Sequence, residues 1–152
     1  MHAFEVLGFD VTDMDEAKEN GAPKQEDLQV TFDSKTPAII VEVKGTTGDA
    51  KTAWIGQIGR HAQYFVSANG LAPAGQWLVT NTYRTSPPGD RRRPYNNNNS
   101  EDLDGFVEGS GGLVIPTTNL FRLMRDVEES VLTAEEARHL LLSLTGRLEY
   151  PD

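Results

Sequence analysis

Cysteine is missing from the 152-residue chain, which removes a disulfide framework and any thiolate-held zinc or iron–sulfur centre. Histidine is nearly as scarce. His2, His61 and His139 are dispersed without the spacing of a ligand set, so no zinc site is expected. No apolar run approaches the roughly 20 residues of a membrane-crossing helix, so no membrane partner is expected. The opening residues, MHAFEVLGFD, carry no basic stretch followed by an apolar one; a secretory signal is not expected, and the cytoplasm is the default location. No Gly-x-Gly-x-x-Gly follows a strand and no P-loop occurs, which argues against a nucleotide cofactor. Gly-x-Ser-x-Gly is also absent, leaving a serine hydrolase without support. Residues 109–112, Gly-Ser-Gly-Gly, resemble a phosphate loop in composition, but they lead into a strand and read as a flexible connection.

What is present is unevenly charged. The formal net charge is −9, yet residues 1–33 hold nine acids against two bases, residues 101–152 eleven against four, and residues 34–100 three against eight. The middle of this acidic chain is therefore basic. Net charge governs solubility and steering, and a local basic face can still hold phosphates.

Hydrophobic periodicity gives the element order α-β-β-β-α-β-β-α-α. His2–Leu7 reads as the end of a helix stopped at Gly8, compatible with a domain excised from a longer protein. Phe9–Val11 is a short strand and Asp13–Gln25 a polar loop. Asp27–Phe32 and Ala38–Lys44 form a hairpin about the turn at residues 33–36. Trp54, Ile58, Ala62 and Phe65 line one face of a helix over Lys51–Ala68. Gln76–Thr80 is a strand. Residues 82–111, with three prolines, Arg91-Arg92-Arg93 and the run Asn96–Asn99, read as a long mobile loop with the asparagines at its tip. Gly112–Ile115 is a buried strand. Thr117 or Thr118 caps a helix with Leu120, Leu123, Met124 and Val127 on its apolar face. A capping box at Thr133–Glu136 opens a last helix over 133–146. The fold class is α/β, a mixed central sheet flanked by helices, in a single domain with its core in 1–130 and an additional C-terminal helix.

The chemistry concentrates at one strand end. In Ala38–Lys44 the side chains alternate, so Glu42 and Lys44 share a face opposite Val41 and Val43. A bare charge on a buried strand is expensive and needs compensation. A plain strand-end salt bridge is one answer. Counting from the turn gives another: five residues back from Phe32 to Asp27 match five forward from Pro37 to Glu42, so Asp27 lies opposite Glu42. Two facing carboxylates repel unless a cation sits between them, and oxygen donors of this kind suit Mg²⁺. Lys44 beside them can hold a phosphate or orient and deprotonate a water. That combination points to metal-assisted phosphodiester hydrolysis.

Asp27, a hairpin, Glu42-Val43-Lys44 and a helix bearing Gln57 together resemble the PD-(D/E)XK nuclease superfamily, with its restriction-endonuclease-like core. The resemblance covers residues 1–130 in element order, with the specific motifs in 26–64; Glu26 stands where the family has its proline. It implies that Asp27, Glu42 and the Val43 carbonyl bind Mg²⁺, for which Mn²⁺ substitutes, and that Lys44 assists the attacking water. Gln57 supports the site, and Glu5 is a further metal ligand from the first helix. The Gln-x-x-x-Tyr of RecB-like members is matched at Gln57, with His61 at the tyrosine position and Tyr64 a turn later. Nucleic-acid contacts are expected from Arg60, His61, Tyr64, Arg91, Arg92 and Arg93. The implied partner is nucleic acid, DNA in preference to RNA, cut as an endonuclease rather than an exonuclease. Cutting both strands of a duplex makes a homodimer plausible. The alternative is a catalytically inactive module of the same fold that binds nucleic acid, senses a ligand or scaffolds a larger protein.

Overall fold

The computed structural model describes residues 1–16, 26–96 and 99–151. Most of the predicted loop after Asp13 (residues 17–25) and the centre of the asparagine run (97–98) lie outside them. Six strands form one sheet in spatial order β1 to β6: β1 (Asp10–Asp13), β2 (Leu28–Thr31), β3 (Ile39–Gly45), β4 (Gly75–Asn81), β5 (Leu113–Pro116) and β6 (Gly146–Arg147). The first three pair antiparallel, while β3 through β6 run parallel. The sheet is therefore mixed, as the hairpin and the following crossover require.

Strand alternation sorts the core into two layers. Ile39, Val41, Trp77, Val79, Leu113 and Ile115 face one way. They meet α1 (His2–Val6), α4 (Thr117–Glu128) and α5 (Ala134–Ser143). Phe4, Phe9 and Trp77 knit this layer together: Phe4 stacks on Trp77 at 5.8 Å, and Phe9 meets the indole edge-on at 5.5 Å. Ile40, Leu78 and Val114 face the other way, under α2 (Thr52–Asn69) and α3 (Ser100–Ser110). The expected helical stripe holds, since Trp54, Ile58, Ala62 and Phe65 are all buried. Gly70 ends α2 in the left-handed conformation (φ 73°), where a side chain would be strained.

Three expectations need correction. Residues 82–111 are not one long loop: α3 occupies Ser100–Ser110, and a 3₁₀ turn spans Pro88–Asp90. The segment is also tied down. Buried Tyr95 donates its hydroxyl to the Lys51 carbonyl at 2.9 Å, and Asn99 donates to the Ala50 carbonyl at 2.9 Å. Burial first, then the charges of Asp102 and Asp49, push the Tyr95 phenol up, so it stays a neutral donor. The core does not stop at residue 130, because Ala137, Leu141 and Leu148 are fully buried in the first layer. The final segment adds a strand, β6, that two residues were too few to signal, and Tyr150 beyond it donates to Asp126 at 2.7 Å. Burial and then that carboxylate push the Tyr150 phenol up to about 12. Finally, neither Thr117 nor Thr118 caps α4; Pro116 holds the N-cap position and no side chain closes it. The capping box at Thr133 and Glu136 is formed as expected.

Two glycines give opposite forecasts for the same substitution. A methyl group on Gly112 would fall into the buried Phe106 ring, whereas one on Gly105, exposed in α3, would meet open space. Gly112→Ala should lower stability by about 1–3 kcal/mol through overpacking. Gly105→Ala should raise it by roughly 0.5–1 kcal/mol through helix propensity. Urea midpoints at unchanged slope are the measurement, and a Gly112→Ala midpoint at or above the parent's would contradict the packing described.

Candidate active site

The end of β3 carries a carboxylate with no solvent exposure at all. Glu42 is 0% exposed, and an unpaired charge there would be strongly unfavourable. Three side chains from two elements meet it. Lys44, two residues on and therefore on the same face, forms an ion pair with Oε1. Gln57 donates Nε2–H to Oε1 at 2.6 Å. His61 places Nδ1 3.0 Å from Oε2. Gln57 and His61 are four residues apart, so one face of α2 presents both, and α2 packs on the sheet face to which Glu42 points. The crossover after β3 thus supplies two of the three partners.

Asp27 arrives from the neighbouring strand. The β2–β3 ladder pairs Leu28 with Val41 and Val30 with Ile39, and extending that register by one step sets Asp27 opposite Glu42. There its Oδ2 accepts the Val43 amide at 2.7 Å, taking over as β3's partner where the ladder stops. The N–H and C=O of one strand residue point to the same side, so the Val43 carbonyl is directed toward Asp27 as well. The Val43 side chain has left the core and is 44% exposed. Apolar packing under β3 therefore ends at Val41, and the strand continues as a platform for polar groups.

The other expected residues fall elsewhere. Glu5 is not brought to this site, because α1 covers the opposite face of the sheet; it lies 3.9 Å from His2, half exposed. Arg60 and Tyr64 are exposed on α2. His61, expected among the nucleic-acid contacts, is buried against Glu42. Arg91 is held by Asn81 Oδ1 at 2.8 Å and by the carbonyls of Ser86 and Arg84. Arg93 pairs with Glu149 at 3.5 Å, and Arg92 is exposed. These three arginines open into a cleft over the carboxyl ends of β4 and β5, shared with Arg122 and Arg147. Sequence reasoning passed over Arg122 and Arg147, neither of which sits in a motif that would single it out; Glu26, noted only as standing at the family's proline position, is buried and accepts Gln29 Nε2 at 2.6 Å. Among the described residues no group of three or more histidine, aspartate or glutamate side chains stands ready to share a metal ion. No described helix is long and apolar enough to cross a membrane.

A mixed sheet with this strand order, flanked by helices on both faces, has the restriction-endonuclease-like fold. Two solved structures of the restriction endonuclease FokI are similar to it. One, bound to DNA, superimposes with a TM-score of 0.57 at 15% identity over 91% of this chain and 25% of that one. The other gives 0.56 at 16% identity over the same shares. The chain thus spans about a quarter of the length of the chains it matches. No family model matches the sequence, and no curated protein matches it.

The contact between His61 and Glu42 fixes a tautomer. A neutral imidazole facing a carboxylate through Nδ1 must carry its proton there. Ring ¹⁵N shifts should report Nδ1-protonated His61 in the folded protein, and Glu42→Leu should release that preference. An Nε2-protonated ring in the parent would show that the two groups do not meet as described.

Proposed function

We propose that this domain is a Mg²⁺-dependent nuclease that hydrolyses phosphodiester bonds, in DNA rather than RNA, acting within strands rather than from their ends. The observation that carries the reading is the placement of Asp27 opposite Glu42 and Lys44 at one strand end, on a fold shared with a restriction endonuclease. The reading includes a cytoplasmic location, Mn²⁺ as a substitute ion, and a homodimer or a longer chain as the way two strands are cut.

The donor chemistry fits a hard cation. Two carboxylates flank a backbone carbonyl, and oxygen ligands of that kind are what Mg²⁺ takes, together with water and phosphate oxygens. Asp27, Glu42 and the Val43 carbonyl would hold it. When bound, such an ion polarises the phosphoryl group and makes water a better nucleophile. The rest falls to the chain's own groups. Gln57 and His61 are fixed on a helix and keep Glu42 oriented. Lys44 is the flexible cationic partner, its side chain 18% exposed. It is therefore the group able to turn from Glu42 toward a phosphate oxygen or the attacking water. Its charge stabilises the anion that builds up at phosphorus.

A second reading is a non-catalytic module for nucleic-acid binding, ligand sensing or scaffolding. The observation favouring it is that both Glu42 oxygens are already engaged by donors of the same chain. Fold does not decide between the two. Cleavage of plasmid and oligonucleotide with Mg²⁺ or Mn²⁺ does. Glu42→Gln, Lys44→Ala and Asp27→Asn should each reduce the rate by at least about 10²-fold with folding intact by circular dichroism, and a chelator should abolish it. Activity indifferent to Glu42→Gln and Lys44→Ala would sink the nuclease assignment, and absence of both cleavage and Mn²⁺ binding would favour the module.

A further inference from the structure

The cleft over the carboxyl ends of β4 and β5 has a volume of about 480 Å³, within the roughly 300–1,000 Å³ of small-ligand sites. Among the described residues its wall holds five arginines (Arg91, Arg92, Arg93, Arg122 and Arg147) against one acid, Glu149. That carboxylate is divided between Arg147 at 2.7 Å and Arg93 at 3.5 Å. Arg91 is held by an amide and two carbonyls, which fix its position and leave its charge uncompensated. Arg92 makes no hydrogen bond or ion pair with a described residue. The cleft is thus a concentrated positive field in an acidic chain.

Two further features point to an oxyanion. The first is Thr80, 1% exposed, whose Oγ1 has no hydrogen-bond partner among the described residues although Thr80 lines the cleft. Buried polar groups are almost always paired, and this hydroxyl can donate to a ligand oxygen. The second is the N-terminus of α4, whose first residues Thr117 and Thr118 line the same cleft. The helix has 12 residues and no side-chain cap. Its leading amides and the positive end of its dipole therefore remain available to an anion. Arginine forks match phosphate geometry. Thr80 is also the register partner of Lys44, so the cleft adjoins the candidate active site on the same sheet edge.

We propose that this cleft binds a phosphate monoester or diphosphate group, held by Arg92, the Thr80 hydroxyl and the α4 amides. Only the idea that this phosphate ends a nucleic-acid strand rests on the nuclease reading; the anion site itself does not. The test is calorimetric titration of the full chain, in chelator so that nothing is cut. The probes are pyrophosphate, a 5′-phosphorylated oligonucleotide and the same oligonucleotide with a 5′-hydroxyl. Arg92→Ala alters an exposed side chain and Thr80→Val preserves shape, so both variants should fold. Each should weaken binding roughly tenfold, the scale of a lost hydrogen bond to a charged group. Preference for the 5′-phosphorylated strand over both other probes would make the ligand a strand terminus, and pyrophosphate binding without that preference would make it a free phosphate compound. Glu42→Gln should retain the binding, which separates this result from failure of the nuclease reading. No binding of pyrophosphate or the phosphorylated strand by the parent, or binding undiminished in both variants, would overturn the proposal.

Discussion

Everything at the working end of this domain is arranged around one carboxylate that water does not reach. Glu42 is fully buried and still surrounded by donors: an ammonium, an amide and an imidazole. Taking a charge out of water costs several kcal/mol even after relaxation, and only well-placed partners offset it. The donors come from β3 itself and from the helix that follows it. Strand, crossover and helix are thereby held to one mutual geometry, since displacing α2 along β3 would strip Glu42 of two partners at once.

The two halves of the sheet contribute differently to that geometry. The antiparallel half delivers Asp27, because a hairpin returns its first strand to the place where the second ends. The parallel half delivers an open edge: β3, β4 and β5 all finish on the same side, leaving their carboxyl ends to loops and helix starts rather than to further pairing. Ligands of open α/β sheets are found at such edges. The apolar layers stop short of the edge on β3, where buried Val41 gives way to exposed Val43, and polar chemistry begins there.

Much of this was legible in the sequence because its signals were periodic. Alternation in β3 put Glu42 and Lys44 on one face, counting across the turn placed Asp27 opposite Glu42, and the 3.6-residue stripe located α2 to within a residue at each end. Less visible was the destination of Glu42's hydrogen bonds. Counting gives register and not rotamer, so it placed Asp27 opposite Glu42 without indicating that Asp27 Oδ2 accepts the Val43 amide. His61 could have been read as Glu42's partner, since it lies four residues from Gln57; its oddity as a replacement for tyrosine drew attention to the surface instead. The segment 82–111 misled for a compositional reason. Proline, arginine and asparagine read as loop, but Tyr95 is buried and α3 packs with α2 through Phe106, contacts that no local pattern encodes. The last strand is set by pairing with β5 over two residues, too short for any period.

Among Glu42's partners it is Lys44 that connects the site to the charge pattern. Gln57 and His61 are fixed on a helix, while Lys44 is a flexible cation at the margin. On the proposed reading a phosphate at this edge has Lys44 on one side and the arginine-lined cleft on the other, with Thr80 in register with Lys44 and lining that cleft. The net charge of −9 does not prevent this approach. At physiological salt, charges beyond about 8 Å are largely screened, so the local excess of arginine outweighs acids spread over the remaining surface. The acidic ends of the sequence then have the opposite effect: they disfavour nonspecific attachment of polyanions elsewhere on the surface, which suits the proposed reading in which the carboxyl edge of the sheet takes the phosphate.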